Sequence, residues 1–204
     1  MEDFDRNLRR LKLWAKFSTV LIALYVICAT TFAVTGFTIL GSANSPTQNL
    51  LEIYGLSAVA NAIVFYISAF AVGMWIYRAH DNLTLFGLTG LEFTPGWSVG
   101  WFFVPFANLV KPYEAMRELW GRNLGDRLHA AALLPLWWGC FLVGGIAMTI
   151  GGLADRQSGD LTLILGLTGV GSILRAASAV LLAIIIRKVT TEQASMEGIG
   201  AAFD

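Results

Sequence analysis

Hydrophobic residues in this chain gather in long unbroken runs instead of alternating with polar ones. Four runs, residues 17–40, 53–77, 130–154 and 161–186, are each about 24 to 26 residues long, and ~20 apolar residues in a helix suffice to cross ~30 Å of hydrocarbon. Backbone N–H and C=O groups in lipid must be paired within their own segment, so each run predicts a transmembrane helix. The first run exceeds the about 7–15 residues of a signal-peptide core and follows an acidic start, Met1 to Asp5, so it is expected to be retained. The expected fold is all-α: a four-helix transmembrane bundle making one membrane domain over residues 1–204.

The stretches between the runs are patterned as well. Residues 1–16 predict an amphipathic helix with Phe4, Leu8, Leu11 and Ala15 on one stripe. Such a helix is expected to lie at the headgroup level, its basic residues toward anionic lipid. Within a central segment, 78–129, residues 97–110 form a stretch of about 14 mostly apolar residues, too short to span. Pro105 interrupts it by removing a backbone donor. This stretch reads as re-entrant or interfacial. A second amphipathic helix follows at 112–124, with Pro112 suited to its first turn. Tyr113, Met116 and Trp120 line one face and Glu114, Arg117 and Glu118 another. Glu118 and Arg122 stand in the favourable acid-first i,i+4 order.

Charge decides the topology. If 97–110 does not cross, Arg6, Arg9, Arg10, Lys12, Lys16, Arg78, Lys111, Arg117, Arg122, Arg127, Arg187 and Lys188 fall on one side and Arg156 alone on the other. If it crosses, four of them move opposite the N-terminus. The positive-inside rule selects the first arrangement. The expectation is therefore a bacterial inner-membrane, multi-pass protein with both termini cytoplasmic, a tail at 187–204 and external loops at 41–51 and 155–160. Composition agrees: 56% of residues are hydrophobic and 14% charged, against roughly 25% charged in soluble domains. Formal net charge is zero, so no whole-chain field gathers nucleic acid, and none is expected as a partner. Cys28 and Cys140 lie inside apolar runs and read as small buried hydrophobes.

Arg175 is the sharpest candidate for chemistry, because it lies near the middle of the fourth run. A charge at that depth costs roughly 2.5–3.5 kcal/mol on insertion scales, so a partner is expected. The candidates are Asn61 in the second run, Asn108, and Glu114 or Glu118 if the loop dips inward. The site reads either as an ion, proton or headgroup site or as a structural pin. Asn108 sits between Pro105 and Pro112, where broken backbone resembles transporter sites, or where a corner is turned and Asn108 caps the next helix. Glu114, Arg117 and Glu118 read as a solvated helix face. Arg78, His80 and Asp81 read as the basic flank and stop of the second span. His80 and His129 are isolated, and no metal is expected. Trp97, Trp101, Trp120, Trp137 and Trp138 form an aromatic belt. Ala69 and Gly73, Gly145 and Thr149, and Thr168, Ser172 and Ala176 make small-residue faces for close helix packing.

Residues 77–120 hold YRAHDNL and then TPGWSVGWFFVPFANLVKPYEAMRELW. This resembles the signature of a bacterial family of four-pass membrane proteins, domain of unknown function family 4328. The matching residues are Arg78, Asn82, Gly96, Trp97, Gly100, Trp101, Phe102, Pro105, Asn108, Leu109, Pro112, Tyr113, Met116, Arg117, Glu118 and Trp120. Lys111 departs from the expected apolar or varied residue. The resemblance implies the topology and the importance of this segment, and brings no activity with it.

No nucleotide-binding, dinucleotide-binding, esterase, zinc or kinase signature occurs, and no cofactor is expected. The leading expectation is a non-catalytic accessory, scaffolding or regulatory subunit. Its re-entrant loop would bind membrane lipid, a protein partner or a second copy of the chain. A small ion, proton or solute channel or transporter with a polar path at Arg175 is the alternative, and a lipid- or quinone-handling enzyme the weaker one.

Overall fold

The computed structural model describes residues 2–42, 46–124, 132–157 and 159–200, and their side chains over 4–42, 46–124, 132–156 and 159–195. Every regular element among them is helical: α1 (Glu2–Gly41), α2 (Gln48–Leu85), α3 (Pro95–Gly100), two 3-10 turns (Trp101–Phe103 and Ala107–Leu109), α4 (Lys111–Leu124), α5 (Leu133–Gln157) and α6 (Leu161–Gly200). Four of them, α1, α2, α5 and α6, are long and apolar enough to cross a membrane. His129 and Arg127 lie outside the described residues.

Helix lengths differ from those expected. At 40 residues, α1 and α6 are each about 60 Å long, roughly twice the hydrocarbon thickness. The expected surface helix at 1–16 and the span at 17–40 are one continuous helix. No Gly or Pro stands at their junction, Leu13 to Phe17, so nothing in the backbone stops the helix there. Likewise α2 runs past residue 77 to Leu85. It ends where Gly87 takes a φ of +84°, with Leu88 N–H bonded to Leu83 C=O at 3.1 Å and Gly87 N–H to Thr84 C=O at 3.0 Å. Those two bonds close a Schellman cap, which needs a left-handed residue that glycine supplies without strain.

The described chain forms two compact units, one of Met1–Val20, Ala69–Pro135 and Leu182–Asp204, the other of Leu21–Ser68 and Leu136–Leu181. In the first unit the core is Leu8, Leu11, Trp75, Ile76, Leu83, Met116, Leu119, Ile185, Ile186 and Val189, all fully buried. The stripe Phe4, Leu8, Leu11 and Ala15 is buried throughout, and Phe4 packs on Phe86 at 5.6 Å. The apolar face of the N-terminal segment is therefore covered by protein, whereas the sequence pattern alone laid it on lipid.

The second unit packs parts of α1, α2, α5 and α6 around Tyr25, Ala29 and Ala176, with Val26, Val64, Phe65 and Ala179 against them. Its contacts are close. A Cβ on Gly171 would lie 2.7 Å from Met148 Cγ and 2.8 Å from the Gly144 carbonyl oxygen, and one on Gly151 would lie 2.8 Å from Thr168 Cγ2. Ser172 donates to the Ala29 carbonyl at 3.0 Å and Ser178 to that of Trp137 at 2.9 Å. The face of Thr168, Ser172 and Ala176 is thus used within the chain. Cys28 and Cys140 are half-buried free thiols.

Candidate functional site

In the first unit a row of buried amides ties three helices. Asn7 of α1 donates to Asn82 Oδ1 of α2 at 2.6 Å, and Asn82 donates to Gln193 Oε1 of α6 at 2.9 Å. Gln193 in turn donates to the Ala79 carbonyl at 2.9 Å. Arg78 closes the end of the row, giving Asn7 Oδ1 a bond at 3.0 Å while standing 3.8 Å from Asp81. Trp75 Nε1 adds a bond to Thr190 Oγ1 at 3.0 Å. Asn82 spends both halves of its amide here, which is what burial of that group demands. Arg78, expected as the flank of a span, and Asn82 are structural ties. His80, on the same turn, is fully buried with Nδ1 3.1 Å from the Ile76 carbonyl oxygen.

Sequence reasoning passed over Asn7 and Gln193. Both carried a signal: Asn7 stands three residues after Phe4 and four before Leu11, and Gln193 four after Val189 and seven after Ile186. Each is an amide placed on an otherwise apolar helical stripe.

Helix α4 shapes the loop that precedes it. Glu118 accepts from the backbone N–H of Glu92 at 2.6 Å and of Phe93 at 3.0 Å, one on each carboxylate oxygen. Arg122 donates to the Gly90 carbonyl at 2.6 Å. Lys111 pairs with Glu114 at 2.6 Å and reaches Glu92 at 3.5 Å. The Glu114 hydrogen bond, more than any other influence, raises the Lys111 ammonium above its ordinary pKa. Glu118 and Arg122 therefore turn to the loop and not to each other. An exposed i,i+4 pair is worth about 0.3–0.5 kcal/mol, less than a carboxylate gains from two charge-assisted bonds to backbone N–H. Arg117 stays exposed, its guanidinium 6.0 Å from the Tyr113 ring. Pro112, in the first turn of α4, is buried.

Held at its base, the loop displays apolar side chains. Phe103 is 82% exposed and Phe106 86%, with Trp97, Leu109 and Val110 each about half exposed. The cause is local. Thr94 caps α3 by accepting from Trp97 N–H, and Pro95 opens the helix. Then Pro105 C=O accepts from Ala107 N–H at 2.7 Å, across Phe106 at φ 63° and ψ −43°. That is a γ-turn of the positive-φ kind, rare and strained. Asn108 lies half-buried in the following 3-10 turn, its N–H bonded to Val104 C=O at 3.0 Å. Trp97 and Trp101 pack with ring centroids 4.8 Å apart, tilted by 36°, and, with Glu92, Phe93, Thr94 and Lys111, line an open cleft of about 170 Å³.

In the second unit, Arg175 is held by aromatics. Its guanidinium carbon lies 4.8 Å from the Phe65 ring centroid and 5.3 Å from that of Phe141, and the Tyr25 ring packs on Phe65 at 5.7 Å. Gly145 leaves room for it: a Cβ there would stand 3.0 Å from Nη2. Of the partners the sequence offered, Asn61 is buried with an Oδ1 that takes no hydrogen bond from the described residues. Glu114 and Glu118 are engaged as described above. Tyr25, Phe65 and Phe141 were not anticipated, since aromatic residues are too common in spans to single out.

A sequence model of the family described as a domain of unknown function, DUF4328, matches residues 45–191. No curated protein and no solved structure matches the chain.

Proposed function

The chain belongs to the DUF4328 family, and on that premise we propose that it is a non-catalytic membrane component whose shaped loop, residues 86–110, binds a protein partner at the bilayer surface. In this reading α1, α2, α5 and α6 all cross, both termini are cytoplasmic and the membrane is the bacterial inner membrane. Charge supports the sidedness. All of the 14 Lys and Arg except Arg156 and Arg175 belong to the segments of the first unit, as the positive-inside rule requires of a cytoplasmic side.

The observation that carries the reading is the contrast within the loop. Its base is fixed by Glu118, Arg122 and Lys111, while Phe103 and Phe106 at its tip are left in the open. A fixed scaffold presenting bare aromatic groups is what an interaction surface needs, and the same charges that fix it occupy the carboxylates a catalyst would use. The test is purification in mild detergent with mass measurement and identification of co-purifying proteins. The expected result is a complex heavier than the 22.2 kDa chain that dissociates in a Phe103→Ser, Phe106→Ser double variant with unchanged thermal unfolding. A lone monomer that keeps all functions of the wild type overturns it.

A channel or transporter with a polar path at Arg175 is the second reading. It is favoured by three buried polar atoms in the second unit with no hydrogen-bond partner: Asn61 Oδ1, Ser68 Oγ and Arg175 Nε.

A further inference from the structure

Arg175 is a full positive charge in an apolar helix, and the described structure gives it no negative one. Residues 17–40, 53–77, 130–154 and 161–186 contain no Asp or Glu at all. The counter-charge can therefore come neither from this chain's spans nor from the spans of a second copy. What surrounds the guanidinium stabilises it without neutralising it. Two aromatic rings lie against it, and glycine stands where a side chain would crowd Nη2. Guanidinium has five N–H donors in a planar fork, and Nε–H, buried, meets no acceptor. Polar atoms continue along α2. Asn61, Phe65 and Ser68 share one face by their i, i+4, i+7 spacing, and Asn61 Oδ1 and Ser68 Oγ are buried without partners on either side of the ring that stacks on Arg175. The second unit thus holds buried polar atoms without partners near a cation that lacks its anion.

We propose that Arg175 binds a small monovalent anion within the spans. Its fork is to take the anion by charge-assisted hydrogen bonds, with the Phe65 and Phe141 rings against the guanidinium and Gly145 leaving room for Nη2. The chemistry is that of a halide from solution or of the carboxylate of a free fatty acid from the bilayer. It is independent of what the loop binds.

The test uses the full chain in detergent or lipid nanodiscs, followed by thermal unfolding. Sodium chloride is titrated against sodium gluconate at constant ionic strength, and separately oleate against oleyl alcohol. A ligand that binds only the folded state raises the midpoint by mass action, and an upward shift of about 2 °C or more is expected for one of the two anions. A response to chloride assigns a halide site; a response to oleate but not to its alcohol assigns a lipid carboxylate. Arg175→Lys is expected to keep the response at lower affinity and Arg175→Gln to abolish it. Should Arg175→Gln fail to fold, equilibrium binding of radiolabelled chloride and oleate to the wild type decides, with about one saturable site per chain expected for one of them. No shift with either anion, no saturable binding, or an equal shift in Arg175→Gln overturns the proposal.

Discussion

In the first unit the buried contacts between helices run from amide to amide: Asn7, Asn82 and Gln193, then a carbonyl. In the second they run from glycine to backbone and from ring to ring, with two serine hydroxyls donating to backbone carbonyls: Gly144 lies against Gly171, Phe32 is stacked on Tyr54 at 4.9 Å, and Ser172 and Ser178 bond to Ala29 and Trp137. The same kind of long helix is held in two ways. Side-chain amides specify which helices meet and in what register, because a mismatched pair leaves a buried polar group empty. Small residues specify only how close two helices come, and gain from dispersion contacts spread over many atoms. The first unit is therefore sensitive to single polar changes, the second to added volume.

The largest expected effect tests that division in the first unit. Asn82→Leu leaves the Gln193 carbonyl without its donor, at about 1–3 kcal/mol for an unsatisfied group, and leaves the Asn7 amide with only its longer bond to the Arg78 carbonyl at 3.4 Å. Equilibrium unfolding should show the loss, and hydrogen exchange should rise over residues 2–20 and 182–195 while residues 136–157 stay protected. An equal rise in both regions would abolish the contrast. In the second unit, Gly171→Ala drives a Cβ into Met148 and the Gly144 carbonyl and should cost about 1–3 kcal/mol by overpacking. Gly152→Ala, which meets nothing within 4 Å, should be neutral or stabilising by up to about 1 kcal/mol through helix propensity. If the two behave alike, close approach is not what holds α5 to α6.

Smaller effects sharpen the view of the loop. Glu118→Gln removes the charge that receives Glu92 and Phe93 N–H. Because the site is partly exposed, a loss of about 1 kcal/mol is expected, seen as faster exchange at those two amides with α4 intact. A large loss of stability would mean that Glu118 holds more than the loop. The smallest effect belongs to Phe106→Asn. Asn tolerates positive φ better than an aromatic residue, so stability should hold or rise by up to about 1 kcal/mol as strain is relieved. A fall in midpoint would show Phe106 packing where it is now exposed.

Much of the candidate site was not legible in the sequence, and particular residues show why. The Glu118–Arg122 spacing marked a local pair, yet both side chains serve backbone 25 to 32 residues away. Spacing along a helix ranks neighbours but cannot see a loop that returns to it. Asn7 was hidden for a similar reason, its partner lying 75 residues on. Arg175 was legible as an anomaly, since a charge in an apolar run violates composition by itself, whereas the identity of its neighbours was not.

The sequence by itself determined that the chain is helical, that four of its helices suit a membrane, and which short segment interrupts them. Those properties are sums over local residues, namely the transfer cost of each side chain and the pairing of each backbone group within its own helix. Only the tertiary structure decided that α1 and α2 run on past their apolar cores and that the N-terminal stripe faces protein. It also decided that amides bond to amides and that an arginine packs against two aromatic rings. Each of these depends on which surfaces the chain brings into contact, and a polar group is satisfied by whatever stands beside it in space, at any distance in sequence.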